Sequence, residues 1–229
     1  TMNYLILFLI DGGVSIIAEN IGYPMVTYIS KVLLMPFLAL YLYHQTKEIK
    51  KYSFIYLALF FSWWGDIFLM FPRAGEPTEA SKNLFLAGLI SFLIGHINYI
   101  IYFLKEIKQS NKTVIMKQQP YWMLPFLLYI FALLSLLFPS LSVMKIPVIA
   151  YSTVTVMMAI TAFNRKNIAN GLSFKLTFIG AVLFVVSDSC IAINVFYQHY
   201  SFAGIVIMTT YLAAQLLIVK GILAQRGNV

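Results

Sequence analysis

Residues 174–197 read FKLTFIGAVLFVVSDSCIAINVFY, a run whose only charges are Lys175 near its start and Asp188 within it. At about 1.5 Å per residue, such a run forms a helix of roughly 36 Å, enough to cross a hydrocarbon core about 30 Å thick. A barrel strand would need alternating segments of about ten residues, and no such alternation occurs here. The same reading holds outward along the chain, at about 3–19, 24–44, 53–71, 83–104, 121–138, 145–163 and 202–222. The third of these contains FFSWWGDIFLM at 60–70, with Asp66 behind Gly65 as Asp188 stands behind Ser187. A carboxylate in hydrocarbon is costly and is rarely kept without a task.

The composition agrees. The chain of 229 residues is 61% hydrophobic and 10% charged, more apolar surface than a water-soluble core can hide. The expected fold is therefore all-α, a polytopic membrane protein of eight transmembrane helices in a single domain over 1–229. The breaks between spans carry turn and charge signals, such as Gly22-Tyr23-Pro24, Lys47 through Lys51, and Pro72 through Pro77. No basic leader with a cleavage site marks a signal peptide, so the first run is expected to remain as a helix; Thr1 reads as an addition ahead of Met2. The lone Cys190 excludes an intrachain disulfide.

Charge orients the spans. Lys47, Lys50, Lys51, Lys105, Lys108, Lys112, Lys117, Arg165, Lys166, Lys175, Lys220 and Arg226 fall on one side, and Arg73, Lys82 and Lys145 on the other. This asymmetry puts both termini in the cytoplasm, with a bacterial inner membrane as the expected location. The net charge of +8 is then topological and implies no nucleic-acid partner.

With that orientation, Asp66 lies about 8 Å and Asp188 about 13 Å below the outer ends of their helices. Lys31, Tyr151 and Tyr211 fall about 9–14 Å from the outer ends of theirs, with His96 and Gln215 deeper. Helical spacing gives Ser62 and Asp66 a common face, as it does Tyr211 and Gln215. Tyr151, Thr155 and Met158 form a stripe; Ser187 and Asn194 share another, with Asp188 on its flank. Gly88, Phe92, Gly95 and Tyr99 form a small-residue side suited to close helix approach. The halves echo each other: FFSWWGD against LFVVSD, and SFLIGH against TYLAAQ. A shift of four helices preserves orientation, so the echo would be a parallel four-plus-four repeat with one carboxylate per half.

Each candidate has a plainer reading. The aspartates could be structural acids hydrogen-bonded to Tyr, Trp or Asn, but two at similar depth favour function. Lys31 could snorkel to the interface or serve as counter-charge to an aspartate or a phosphate. His96 reads more simply as a satisfied interior residue than as a catalyst. No histidines share a helix at ligand spacing and the cysteine has no partner, so a metal site is disfavoured. Serines occur without a nucleophile elbow, which disfavours a serine hydrolase. Trp122 and Tyr121 suit an interfacial belt, Trp63 and Trp64 a lipid cavity or packing, and Pro36, Pro125 and Pro147 helix bends or first turns.

Five segments occur in a familiar order: FSWWGDIFLM (61–70), LFLAGLISFLIGHINYIIY (84–102), YSTVTVMMAITA (151–162), LFVVSDSCIAINVF (183–196) and YLAAQLLIVKG (211–221). Together they resemble the YhhN family of integral membrane proteins, which includes lysoplasmalogenases. Lys31 resembles the family's Lys-Pro start of the second helix, with Val32 in place of the proline. The resemblance implies hydrolysis of the vinyl ether bond of lysoplasmalogens, without a cofactor. The products would be a fatty aldehyde and glycerophosphoethanolamine or glycerophosphocholine. It also implies that Asp66 and Asp188 are the functional carboxylates.

The residues suit that chemistry. An enol ether hydrolyses by protonation at its β-carbon, giving an oxocarbenium ion that water captures. A carboxylic acid and a carboxylate can divide those roles as they do in glycosidases. Asp188, the deeper of the two and flanked by Val186 and Ile191, is the expected proton donor. Ser187, Asn194, Tyr151, Tyr211 and Gln215 are expected to orient water and the glycerol hydroxyl, with His96 among the substrate contacts. Lys31, or Arg73, Lys82 and Lys145 on the outer loops, would attract the phosphate. The expected partners are a lysophospholipid and the membrane. A proton-coupled transporter is the competing class, since intramembrane acids also mark proton relays. A hydrolase of ester lysolipids is the third.

Overall fold

The computed structural model describes residues 2–70 and 78–226, and every regular element among them is helical. The helices are α1 (Met2–Ile21), α2 (Pro24–Thr46), α3 (Ser53–Met70), α4 (Glu79–Ser110), the short α5 (Ile115–Gln118), α6 (Leu124–Leu137), α7 (Lys145–Phe163), α8 (Gly171–Ala192) and α9 (Ala203–Arg226). Eight candidate spans result, all but α5 contributing. The all-α, multi-pass reading holds.

The boundaries differ from the hydropathy reading where polar residues find partners. α4 runs on past residue 104 to Ser110. Its extension carries Glu106, which pairs with Arg165 at 2.8 Å, and Ser110, whose hydroxyl donates to the Ile107 carbonyl. The fifth span is composite, with 3-10 turns at Pro120–Met123 and Phe138–Ser140 flanking α6. The seventh changes from α8 to a π-helical turn over Ile193–Tyr197. Asn170 caps α8 by accepting from the Ser173 amide at 2.8 Å. Between α1 and α2 the chain turns at Gly22, whose φ of +80° is open to glycine without strain, and Pro24 opens α2.

The chain divides into two compact units, Thr1–Tyr99 and Ile100–Val229, so the boundary falls inside α4. In the first, α1 packs along α2 and α2 along α3. Pro36 lies inside α2, where its missing N–H leaves the Val32 carbonyl without a helical donor. The Trp63 indole N–H of α3 donates to that carbonyl at 2.8 Å. Glycine lets α4 approach α3: a methyl on Gly95 would stand 3.2 Å from the Ala58 carbonyl, and one on Gly65 would meet the Phe92 ring.

In the second unit the α8 and α9 pair dominates. A methyl on Gly180 would stand 2.8 Å from the Ala214 carbonyl, and one on Gly221 2.7 Å from the Thr177 amide nitrogen. The Gly95–Ala58 and Gly180–Ala214 crossings sit at echoing positions of the two halves, with the glycine on the opposite helix. That likeness is local to the crossings. The loop after α7 is held by side chains. Arg165, wholly buried, contacts Glu106, donates to Ser173 at 3.1 Å and faces the Phe103 ring, while Asn164 accepts from the Met116 amide.

Candidate functional site

In the first unit Asp66 lies on α3 and is buried, with Ser62, also buried, one turn before it. Helical spacing gave the two a common face, and Gly65 and Gly95 bring α4 against that part of α3. The Ser91 hydroxyl of α4 donates to the Phe61 carbonyl at 2.8 Å. This pins the two helices near Asp66. His96 is buried on α4.

Lys31 is also buried, and its ammonium lies 2.9 Å from Glu19 of α1. Glu19 is not among the partners expected of this lysine from the sequence, which were an aspartate, a phosphate or the interface. Its signal was available: Asp11, Ser15 and Glu19 recur every fourth residue along α1, so they share one face. Because Glu19 stands at the end of the first apolar run, hydropathy alone does not join it to that stripe.

In the second unit Asp188 lies on α8, partly buried. From α7, Thr155 donates to its Oδ2 at 3.2 Å, and the Tyr151 phenol makes another side-chain hydrogen bond to the same carboxyl. Thr155 also lies 3.1 Å from the Tyr151 carbonyl, the usual helical fallback for a threonine hydroxyl. The stripe read from the sequence on α7 therefore meets the aspartate read on α8, and α7 packs along α8.

Other candidates have structural duties. The Ser187 hydroxyl donates to the Ile207 carbonyl of α9 at 3.0 Å. Asn194, in the π-helical turn, accepts from the Tyr200 amide at 3.2 Å and closes the link to α9. Tyr211 and Gln215 are buried on α9, the Tyr211 ring edge-on to Phe184. Tyr129 of α6 was not foreseen; its phenol lies 2.5 Å from the Ser189 hydroxyl, one residue from Asp188. Its sequence mark was a phenol in a helix otherwise made almost wholly of aliphatic residues and phenylalanine.

Of the cations expected to attract phosphate, Lys82 is paired with Glu79 at 2.8 Å and Lys145 lies over the Phe138 ring. Arg73 lies outside the described residues. Among the described residues, no group of three or more His, Cys, Asp or Glu side chains stands close enough to hold a metal ion.

The model of the YhhN family matches residues 26–222, from the start of α2 almost to the end of α9. No curated protein and no solved structure matches the chain.

Proposed function

Because the chain belongs to the YhhN family, we propose that it is a lysoplasmalogenase that hydrolyses the vinyl ether bond of lysoplasmalogens within the membrane. The observation that carries the reading is the seating of Asp188. This intramembrane carboxyl is held by Thr155 and Tyr151 on a neighbouring helix, inside the matched segment. Two directed hydrogen bonds fix how a carboxyl presents its remaining lone pairs and its proton, and such orientation is a large part of acid catalysis.

In this proposal Asp188 delivers a proton to the β-carbon of the enol ether, and the C=C π electrons form the new C–H bond. Positive charge then develops at the ether-bearing carbon and is shared with oxygen. Water attacks that oxocarbenium ion and gives up a proton to the Asp188 carboxylate left by the first step, and Asp66 is proposed as a second functional carboxyl on the family resemblance alone. The hemiacetal hydroxyl then returns its proton to the carboxylate as the carboxyl protonates the glycerol oxygen, and the C–O bond breaks to release fatty aldehyde and glycerophosphoethanolamine or glycerophosphocholine. One water is consumed and no redox change occurs. Gln215 and Tyr211, on the same unit as Asp188, supply further polar contacts to the glycerol, and the charge asymmetry of the loops puts both termini in the cytoplasm.

The test is aldehyde release from lysoplasmenylethanolamine by the purified full chain, beside Asp66→Asn and Asp188→Asn. Each substitution is expected to lower release at least a hundredfold, and hydrolysis in D2O to place deuterium on the aldehyde α-carbon. Near-normal release by either variant removes that residue from the mechanism. Cleavage of ester lysolipids without vinyl ether turnover replaces the proposed substrate.

A further inference from the structure

We infer that the first unit carries a binding site for one anionic bilayer phospholipid, its hydrocarbon chain in a groove between α2 and α3 and its phosphate at the turn joining them. The groove has a volume of ≈ 580 Å³ and is lined by Pro36 and Ala39 of α2, Ile49 of the turn, and Ser53, Phe60 and Trp63 of α3, among others. Pro36 and Trp63 bound it because the bond from the Trp63 indole to the Val32 carbonyl ties the helices together at this level.

Three properties of the groove specify its occupant. From Ser53 to Trp63 it follows α3 for about 15 Å, half the roughly 30 Å hydrocarbon core and hence the depth of one leaflet's chain. A partner's transmembrane helix, about 10 Å wide and crossing the whole core, does not match a trough that ends halfway. Its lining is apolar apart from Ser53 and the Tyr56 phenol, so nothing in the trough recognises a polar ligand. Finally, its mouth at Ile49 is flanked in the chain by Lys47, Lys50 and Lys51, with Glu48 the one acid among residues 47–52.

Lys51 contacts Glu48 at 3.4 Å. Lys47 and Lys50 are exposed and make no ion pair among the described residues. Lys47 takes a left-handed φ of 53°, and its amide closes α2 on the Tyr43 carbonyl at 2.7 Å, so the turn is defined at this lysine. An apolar slot one leaflet deep, opening at clustered cations, complements a chain with an anion at its end. Clustered lysines at a membrane surface favour anionic lipids for the same electrostatic reason.

The site is tested on the full chain, with Trp64→Phe and Trp122→Phe leaving Trp63 as the single tryptophan of the three. The protein is reconstituted in unbrominated phosphatidylcholine and titrated with chain-brominated phosphatidylglycerol or phosphatidylcholine, which quench indole fluorescence on contact. Phosphatidylglycerol is expected to quench Trp63 saturably, at about tenfold lower mole fraction than phosphatidylcholine. Lys47→Gln with Lys50→Gln should remove that preference. Ala39→Phe should remove the saturable quenching by either lipid, whereas Ile90→Phe on the exposed side of α4 should change nothing. Ser53→Phe at the mouth repeats the obstruction should Ala39→Phe fail to fold. Equal curves for the two lipids, or curves unmoved by filling the groove, overturn the site and leave ordinary annular lipid. The readout is binding, so it stands or falls apart from the enzymatic proposal.

Discussion

The indole N–H of Trp63 donates across 2.8 Å to the carbonyl of Val32, the acceptor that Pro36 deprives of its helical partner. One helix thus repairs a backbone defect in its neighbour. In hydrocarbon no water can take over that role.

Trp63→Phe should therefore lower stability in detergent by about 1 kcal/mol, by stranding the Val32 carbonyl. Pro36→Ala restores a backbone N–H to the same acceptor. In that background Trp63→Phe should cost clearly less, and a double-mutant cycle from thermal unfolding reads the coupling. Strict additivity would show that the indole acts by packing alone.

The seating of Asp188 makes a second prediction. Thr155→Val and Tyr151→Phe each remove one hydrogen bond to its carboxyl, and each should slow vinyl ether hydrolysis about tenfold, the equivalent of some 1.4 kcal/mol in the barrier. The loss should fall on kcat rather than KM, and Thr155→Ser should recover most of it. If Thr155→Ser is as slow as Thr155→Val, the hydroxyl is not what matters.

Two glycines should respond in opposite directions. Gly180→Ala drives a methyl to within 2.8 Å of the Ala214 carbonyl, so α8 and α9 must move apart at a cost of about 1–3 kcal/mol. Gly13 in α1 has nothing within 4 Å of its would-be Cβ, so Gly13→Ala should leave stability unchanged or raise it by up to about 1 kcal/mol. Unfolding temperatures of the two variants, measured side by side, decide the matter.

The orientation proposed from charge can be checked by sided labelling. In a Cys190→Ser background, Lys112→Cys should react with an impermeant maleimide from the cytoplasmic side alone, and His199→Cys from the opposite side alone. The reverse pattern would invert the topology and place the α2–α3 groove in the other leaflet.

The sequence alone settled the class of the molecule. Whether some twenty consecutive residues prefer hydrocarbon to water is a local property, so the spans were legible one by one. The same locality exposed Asp66 and Asp188, because a charge in an apolar run carries its cost wherever its helix ends up. Even the shared face of Tyr151 and Thr155 followed from helical spacing, before anything was known of α8.

Partnerships were another matter, because they depend on how each helix is rotated about its axis. In a water-soluble bundle the apolar stripe sets that rotation. In a membrane both the lipid-facing and the buried sides are apolar, so close packing and a few hydrogen bonds set it instead. The meeting of Thr155 with Asp188, the pairing of Lys31 with Glu19, the Ser187 bond to Ile207 and the Trp63 bond to Val32 all belong to that second kind of information. Each joins separate helices through contacts that exist only once glycine, proline and side-chain volume have chosen which faces touch.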